Sequence, residues 1–154
     1  MNKRGVTLVE LVVVFVIIAV LACLMAPNIG AWLPSYRLRS ATRDVASILR
    51  TAQMKAVSRN LQYRVSFNTA DVGTTTPPRY ALQYFDSAGG TFVNDGAVQT
   101  LPTGITISSN LLPNARAVFN TDSTSSGGSL TLQNTKGSTK TITLTTVTGR
   151  VNVP

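Results

Sequence analysis

Histidine is absent from this 154-residue sequence, and cysteine occurs once, at Cys23 inside an apolar run. Without them the usual zinc and copper ligand sets have no members. A single cysteine also excludes an intramolecular disulfide. Acidic residues are nearly as scarce: Glu10, Asp44, Asp71, Asp86, Asp95 and Asp122 stand singly, with no D-x-D-x-D-G calcium loop and no paired carboxylates. The usual general-base and nucleophile constellations therefore have no members, and nothing marks a Ser–Lys dyad. Neither glycine pattern that cradles phosphates, G-x-x-x-x-G-K-[ST] or G-x-G-x-x-G, occurs. The reading is of a protein that is not an enzyme and that uses no metal and no cofactor.

What the chain does have is an apolar stretch from Val6 to Ala26 in which Glu10 is the only ionised residue. As a helix this stretch covers about 32 Å, close to the roughly 30 Å hydrocarbon core of a bilayer. It predicts a transmembrane helix, longer than the apolar region of an ordinary secretory signal and without its small-residue cleavage site. Lys3 and Arg4 precede it and would hold that end on the cytoplasmic side, so the rest is exported. The remainder is enough for one small globular domain. A carboxylate in lipid costs several kcal/mol unless it is neutralised or paired, so Glu10 is either partnered or snorkels to the membrane edge.

The run Gly5-Val6-Thr7-Leu8-Val9-Glu10 resembles the class III leader of type IV prepilins and pseudopilins, with Val6 where that family most often has phenylalanine. The resemblance implies cleavage by a prepilin peptidase between Gly5 and Val6, N-methylation of Val6, and retention of the apolar helix. It also implies that Glu10 pairs with the freed Val6 amine of a neighbouring subunit during filament assembly. Loss of Lys3 and Arg4 with the leader would take the formal net charge from +8 to +6.

Pro27 and Pro34, with Gly30 between them, predict a helix kink or local unwinding between Ala26 and Ser35. Two readings of it stand: a segment that stretches on filament packing, as the resemblance implies, or a simple membrane-exit break. From Ser35 to about Asn60, Leu38, Ala41, Val45, Ile48, Leu49, Ala52 and Ala56 recur at helical spacing as one apolar stripe. Arg39, Arg43 and Arg50 gather nearly opposite, as a solvated face or as a surface for acidic partner subunits or phosphates. Past Asn60 the period drops to two, with Tyr63, Val65 and Phe67 on one face. Further strands are predicted over residues 79–85, 97–101, 105–108, 116–120, 129–133, 139–145 and 150–153, with tight turns at Asn94-Asp95-Gly96 and Thr135-Lys136-Gly137. The segments 71–78 and 121–128 read as polar, mobile loops. The helical stripe is the one candidate to cover the sheet. The fold class is α+β, with a long N-terminal helix, half membrane and half amphipathic, packed on an antiparallel β-sheet head.

Ala117-Val118-Phe119-Asn120, Gly127-Gly128, Leu130-Thr131-Leu132, Thr141-Ile142-Thr143-Leu144 and Thr148-Gly149-Arg150-Val151 follow one another in an order that resembles the GspH/FimT pseudopilin domain. With the leader, the resemblance covers about the whole chain and implies a pilin-like fold. The domains are then a leader at 1–5, a transmembrane helix with kinked exit at 6–34, and a periplasmic or extracellular head at 35–154. The implied function is a minor pseudopilin or minor pilin in the inner membrane, assembling into a type II secretion pseudopilus or a type IV pilus. Its implied partners are other pilin subunits, the peptidase, the inner-membrane assembly platform and membrane lipid. The alternatives are a major structural pilin or a DNA-binding minor pilin of natural transformation. In FimT-type proteins a Gly-Arg turn continues with further arginine as a phosphate-binding tip, whereas here Val151-Asn152-Val153 follows. Nucleic acid therefore ranks last among the partners, with Arg116, Lys136, Lys140 and Arg150 as the residues that would meet it or another partner.

Overall fold

The computed structural model describes residues 6–25 and 29–153. Gly5 and the rest of the expected leader, and Pro27 with its expected kink, lie outside the described residues. The chain forms two units, Met1–Leu33 and Pro34–Pro154.

In the first unit, helix α1 runs from Leu8 to Met25. Its residues are apolar on every side but for Glu10, and each side chain from Val6 to Cys23 is exposed. The helix starts two residues after Val6 because Thr7 serves as its cap. Its 18 residues therefore cover about 27 Å, and among the described residues no helix is long and apolar enough to cross a membrane.

Helix α2 runs from Ile29 to Arg59 with Pro34 inside it. Residues 29–35 are thus helical, so of the kink or local unwinding expected there the unwinding is not found. Pro34 lacks the N–H that would bond the Gly30 carbonyl, but Gly30 is exposed, so water can satisfy that oxygen and the turn survives.

The second unit carries its own core. Leu38, Ala41, Val45, Leu49, Ala52 and Ala56 of α2 are buried, with Ile48 packed partly buried beside them. They cover two antiparallel sheets rather than the single one expected. The first contains β1 (Tyr63–Phe67), β2 (Arg79–Asp86), β3 (Thr91–Asn94), β4 (Gln99–Thr100) and β6 (Arg116–Phe119), in the order β3-β2-β1-β6 with β4 also on β2. The second contains β5 (Ile105–Asn110), β7 (Gly128–Asn134), β8 (Thr139–Leu144) and β9 (Val151–Asn152), in the order β5-β7-β8-β9. The chain leaves the first sheet at the Pro102–Gly104 turn, where the Ile105 amide donates to the Pro102 carbonyl at 3.0 Å. It returns for β6 and then leaves for good. Strand β3 had no counterpart in the alternation pattern, because Thr91–Asn94 is mostly exposed and offers no buried face to read.

The two segments read as mobile are held by polar side chains. Asp71 accepts from Arg64 and Arg116. Buried Ser125 donates its hydroxyl to the Thr145 carbonyl at 3.0 Å and its amide to Thr146 at 2.8 Å, tying the loop after β6 to the far sheet.

Helix α2 is also bound to the turn after β3 by Lys55, whose Nζ lies 2.9 Å from Asp95 Oδ2, with Arg59 at 3.7 Å. The hydrogen bond from Lys55 holds the Asp95 carboxyl below its ordinary value, and burial opposes that only in part. A depressed carboxylate stabilises the fold above its unfolded value, about 3.9, and the contribution is lost as pH falls through the folded value. Asp95→Asn should therefore lower stability at pH 7 by about 1 kcal/mol. In thermal melts across an acid titration the two proteins should converge below that window, and a constant gap would exclude the linkage.

Candidate functional site

Thr7 precedes α1, and its Oγ1 accepts the Glu10 amide at 3.3 Å while its carbonyl accepts the Leu11 amide at 3.2 Å. Thr7-Leu8-Val9-Glu10 thus has the spacing of a capping box, a hydroxyl at the cap and a glutamate three residues on. The Glu10 carboxylate stands in the first turn, where the positive end of the helix dipole favours it. Sequence reasoning weighed Glu10 as a charge in lipid and missed this second role, although T-x-x-E was its signal. Val6 lies just ahead of the cap and is 72 % exposed. Both residues singled out for assembly stand accessible at the same helix end.

The four basic residues grouped by sequence go to different places. Arg116 opens β6 and its Nη2 lies 2.6 Å from Asp71. The same carboxylate oxygen takes Arg64 Nη2 at 2.9 Å. Arg64 lies 3.9 Å over the Phe92 ring and donates Nε to Gln83 Oε1 at 2.6 Å. Gln83 is buried, also accepts the Ser66 hydroxyl, and donates to Asn94 Oδ1 at 2.8 Å. Burial, then repulsion from Arg116, pulls the Arg64 guanidinium below its ordinary range. Arg116 is therefore engaged in a clamp on the outer face of the first sheet, which no periodicity could have disclosed.

Lys136 sits in the β7–β8 turn, where its amide donates to Asn134 Oδ1 at 3.0 Å. Arg150 lies in the β8–β9 turn, its carbonyl accepting the Thr145 amide at 3.1 Å. The six residues of β8 put about 20 Å between those two turns. Lys140, on β8, instead meets Arg39 and Arg43 of α2 around a groove of about 290 Å³. The structure joins Lys140 to the helical arginines and does not gather the four predicted cations into one patch.

The Gly149 turn has a tighter geometry. Its φ is +60°, and a Cβ there would run into the Ser123 carbonyl and the Gln53 side chain. Gln53 reaches over from α2 to donate to the Thr148 carbonyl at 2.9 Å. The turn is thus pinned against the helix while Arg150 stays exposed.

Residues 41–149 match the family described as type II transport protein GspH. The chain belongs to the GspH family. Residues 1–24 match the prokaryotic N-terminal methylation motif. No curated protein matches. Among solved structures, the chain is similar to the minor pseudopilin EpsH from the type 2 secretion system of Vibrio cholerae, with a TM-score of 0.61 and 11 % identity, covering 77 % of this chain and 96 % of that one. It is likewise similar to the type IV minor pilin FimU of Pseudomonas aeruginosa, with a TM-score of 0.59 and 14 % identity, covering 78 % and 90 %. At these identities the likeness shows the fold, and it is the pilin-like α+β fold read from the sequence.

The GspH match ends on Gly149, whose conformation and close packing both resist a side chain. Gly149→Ala should destabilise residues 34–154 by about 2 kcal/mol, whereas Arg150→Ala should change stability by no more than about 0.5 kcal/mol. Denaturant melts of the two variants check this, and equal effects would remove the structural role given to the glycine.

Proposed function

We propose that this GspH-family chain is a minor pseudopilin or minor pilin that works by assembly. Prepilin peptidase cuts between Gly5 and Val6, Val6 is methylated, and α1 anchors the chain in the inner membrane with residues 35–154 outside the cytoplasm. The subunit then passes through the inner-membrane assembly platform into a type II secretion pseudopilus or a type IV pilus. There Glu10 pairs with the Val6 amine of a neighbour.

One observation carries the reading: a helix apolar all round but for Glu10, exposed from end to end of its described side chains, within the stretch that matches an N-terminal methylation motif. Such a helix is stable only when lipid or other helices cover it. Local bilayer thinning, or packing among subunits, covers the few Å by which α1 falls short of the hydrocarbon thickness. The placement of Val6 and Glu10 at one exposed helix end supports the charge pair. The DNA-capture alternative loses Arg116 to Asp71 and has Lys136 and Arg150 on separate turns.

Two measurements test the proposal. Intact-mass analysis of the protein from its native membrane should show loss of Met1 to Gly5 and a methylated amine, and an uncut chain would remove the peptidase step. Glu10→Ala and Glu10→Gln should both insert yet fail to co-assemble with partner subunits. If only the alanine variant fails, the glutamate acts as a helix cap and the charge pair is wrong.

A further inference from the structure

The outer face of the first sheet carries a hollow of about 530 Å³ lined by Arg64, Asp71, Gln83, Thr91, Phe92 and Asn94. That size suits a side chain with its backbone rather than a lone ion. The hydrogen bonds around it run in one direction. A guanidinium only donates, so Arg64, at 2.6 Å, turns Oε1 of buried Gln83 toward itself, where the Ser66 hydroxyl also donates at 2.9 Å. The Gln83 nitrogen is thereby aimed at Asn94 and donates to its Oδ1 at 2.8 Å. Asn94 has then used its acceptor in this chain of bonds, and its amide N–H groups have no partner among the described residues. The Thr91 hydroxyl has none either. Both residues are exposed.

Charge agrees with the hydrogen bonds. Arg64 and Arg116 meet one oxygen of Asp71, at 2.9 and 2.6 Å, so two cations face one carboxylate. Arg116 Nε is buried with no acceptor at all. This face is short of acceptors and has one positive charge in surplus. The acceptor left at the hollow is Oδ1 of Asp71, which takes no hydrogen bond among the described residues. Phe92 forms one wall, held between Arg64 at 3.9 Å and the Phe85 ring at 5.3 Å.

We propose that this hollow receives an acidic side chain from an exposed segment of a partner protein. Its carboxylate supplies acceptors for Asn94, Thr91 and Arg64 and cancels the surplus charge, in hydrogen bonds stronger than neutral ones. Its methylenes lie on Phe92, and the peptide group that carries it supplies an N–H for Asp71 Oδ1. A phosphodiester matches the charge but has no donor for that oxygen, which favours peptide over nucleic acid. The site lies wholly within residues 34–154. It therefore stands or falls independently of the leader, the membrane helix and the charge pair at Glu10.

The test uses residues 34–154, whose buried core lies wholly within the fragment, at about 0.15 M salt, where distant charges are screened. The probe is a peptide of one glutamate between two alanines, capped at both ends, and its glutamine counterpart. In nitrogen–proton spectra the glutamate peptide should shift the Asn94 side-chain amide signals, and the glutamine peptide should bind on the order of 10-fold more weakly. Asn94→Asp keeps the acceptor for Gln83 but replaces the donor with a negative oxygen, and should lose on the order of 10-fold. Asn152→Asp, which puts the same charge on β9, should leave binding nearly unchanged. Thr91→Val should lose a few-fold, and it decides the matter if thermal melts show Asn94→Asp unfolded. Unshifted Asn94 signals, no preference for glutamate over glutamine, or equal losses in the two aspartate variants would overturn the site. Dimethyl phosphate binding as tightly as the glutamate peptide, with the same amide shifts, would overturn the peptide assignment.

Discussion

One apolar stripe has to serve two sheets. Leu38, Ala41, Val45, Leu49, Ala52 and Ala56 of α2 meet Tyr63, Phe67 and Phe119 from one sheet and Ile105, Leu130, Leu132 and Ile142 from the other. The helix contributes mostly small side chains and the strands mostly large ones. Alanine at three of its fully buried positions lets the strands come close, and the aromatic and branched residues fill the space that this leaves. The loops after β1 and β6, the Gly149 turn and the basic groove all take their positions from elements packed on this helix.

The scarcity of acids gives the few that exist defined duties. Asp71 holds two arginines, Asp95 ties α2 to the turn after β3, and Asp122 closes its own turn through the Thr124 hydroxyl at 2.7 Å. Among the described residues Arg39 and Arg43 form no ion pair, although Asp44 lines a hollow beside them. A basic chain built this way carries its surplus charge on chosen faces, and on α2 that face lies opposite the core.

The legible parts of the fold were those with a period. The stripe on α2 was visible because burial repeats every three to four residues, and β1 because apolar and polar residues alternate along it, while in β7 burial itself repeats every two. The division into two sheets was not visible, since alternation tells which residues of a strand face inward and nothing about which strands pair. Strand β3 was missed because its residues are mostly exposed. Loops 71–78 and 121–128 looked unconstrained by composition, yet Asp71 and Ser125 act through partners 45 and 20 residues away. At the candidate site, Gly149 and Glu10 could be picked out as residues, but their surroundings could not. The approach of Gln53 and the capture of Arg116 by Asp71 depend on tertiary placement, whereas the cap at Thr7 was within reach of a four-residue pattern.

The ends of the two sheets set a limit on how copies of the chain can associate. The outermost strands are β3 and β4 on one side of the first sheet and β6 on the other, of four, two and four residues. In the second sheet they are β9, with two residues, and β5, whose register breaks between Ile107 and Ser109. None presents a long, flat row of open amides and carbonyls to an incoming strand. Growth by adding strands from chain to chain is thereby discouraged in a protein rich in β structure. In the assembly proposed above, a subunit would therefore be released without breaking a backbone ladder.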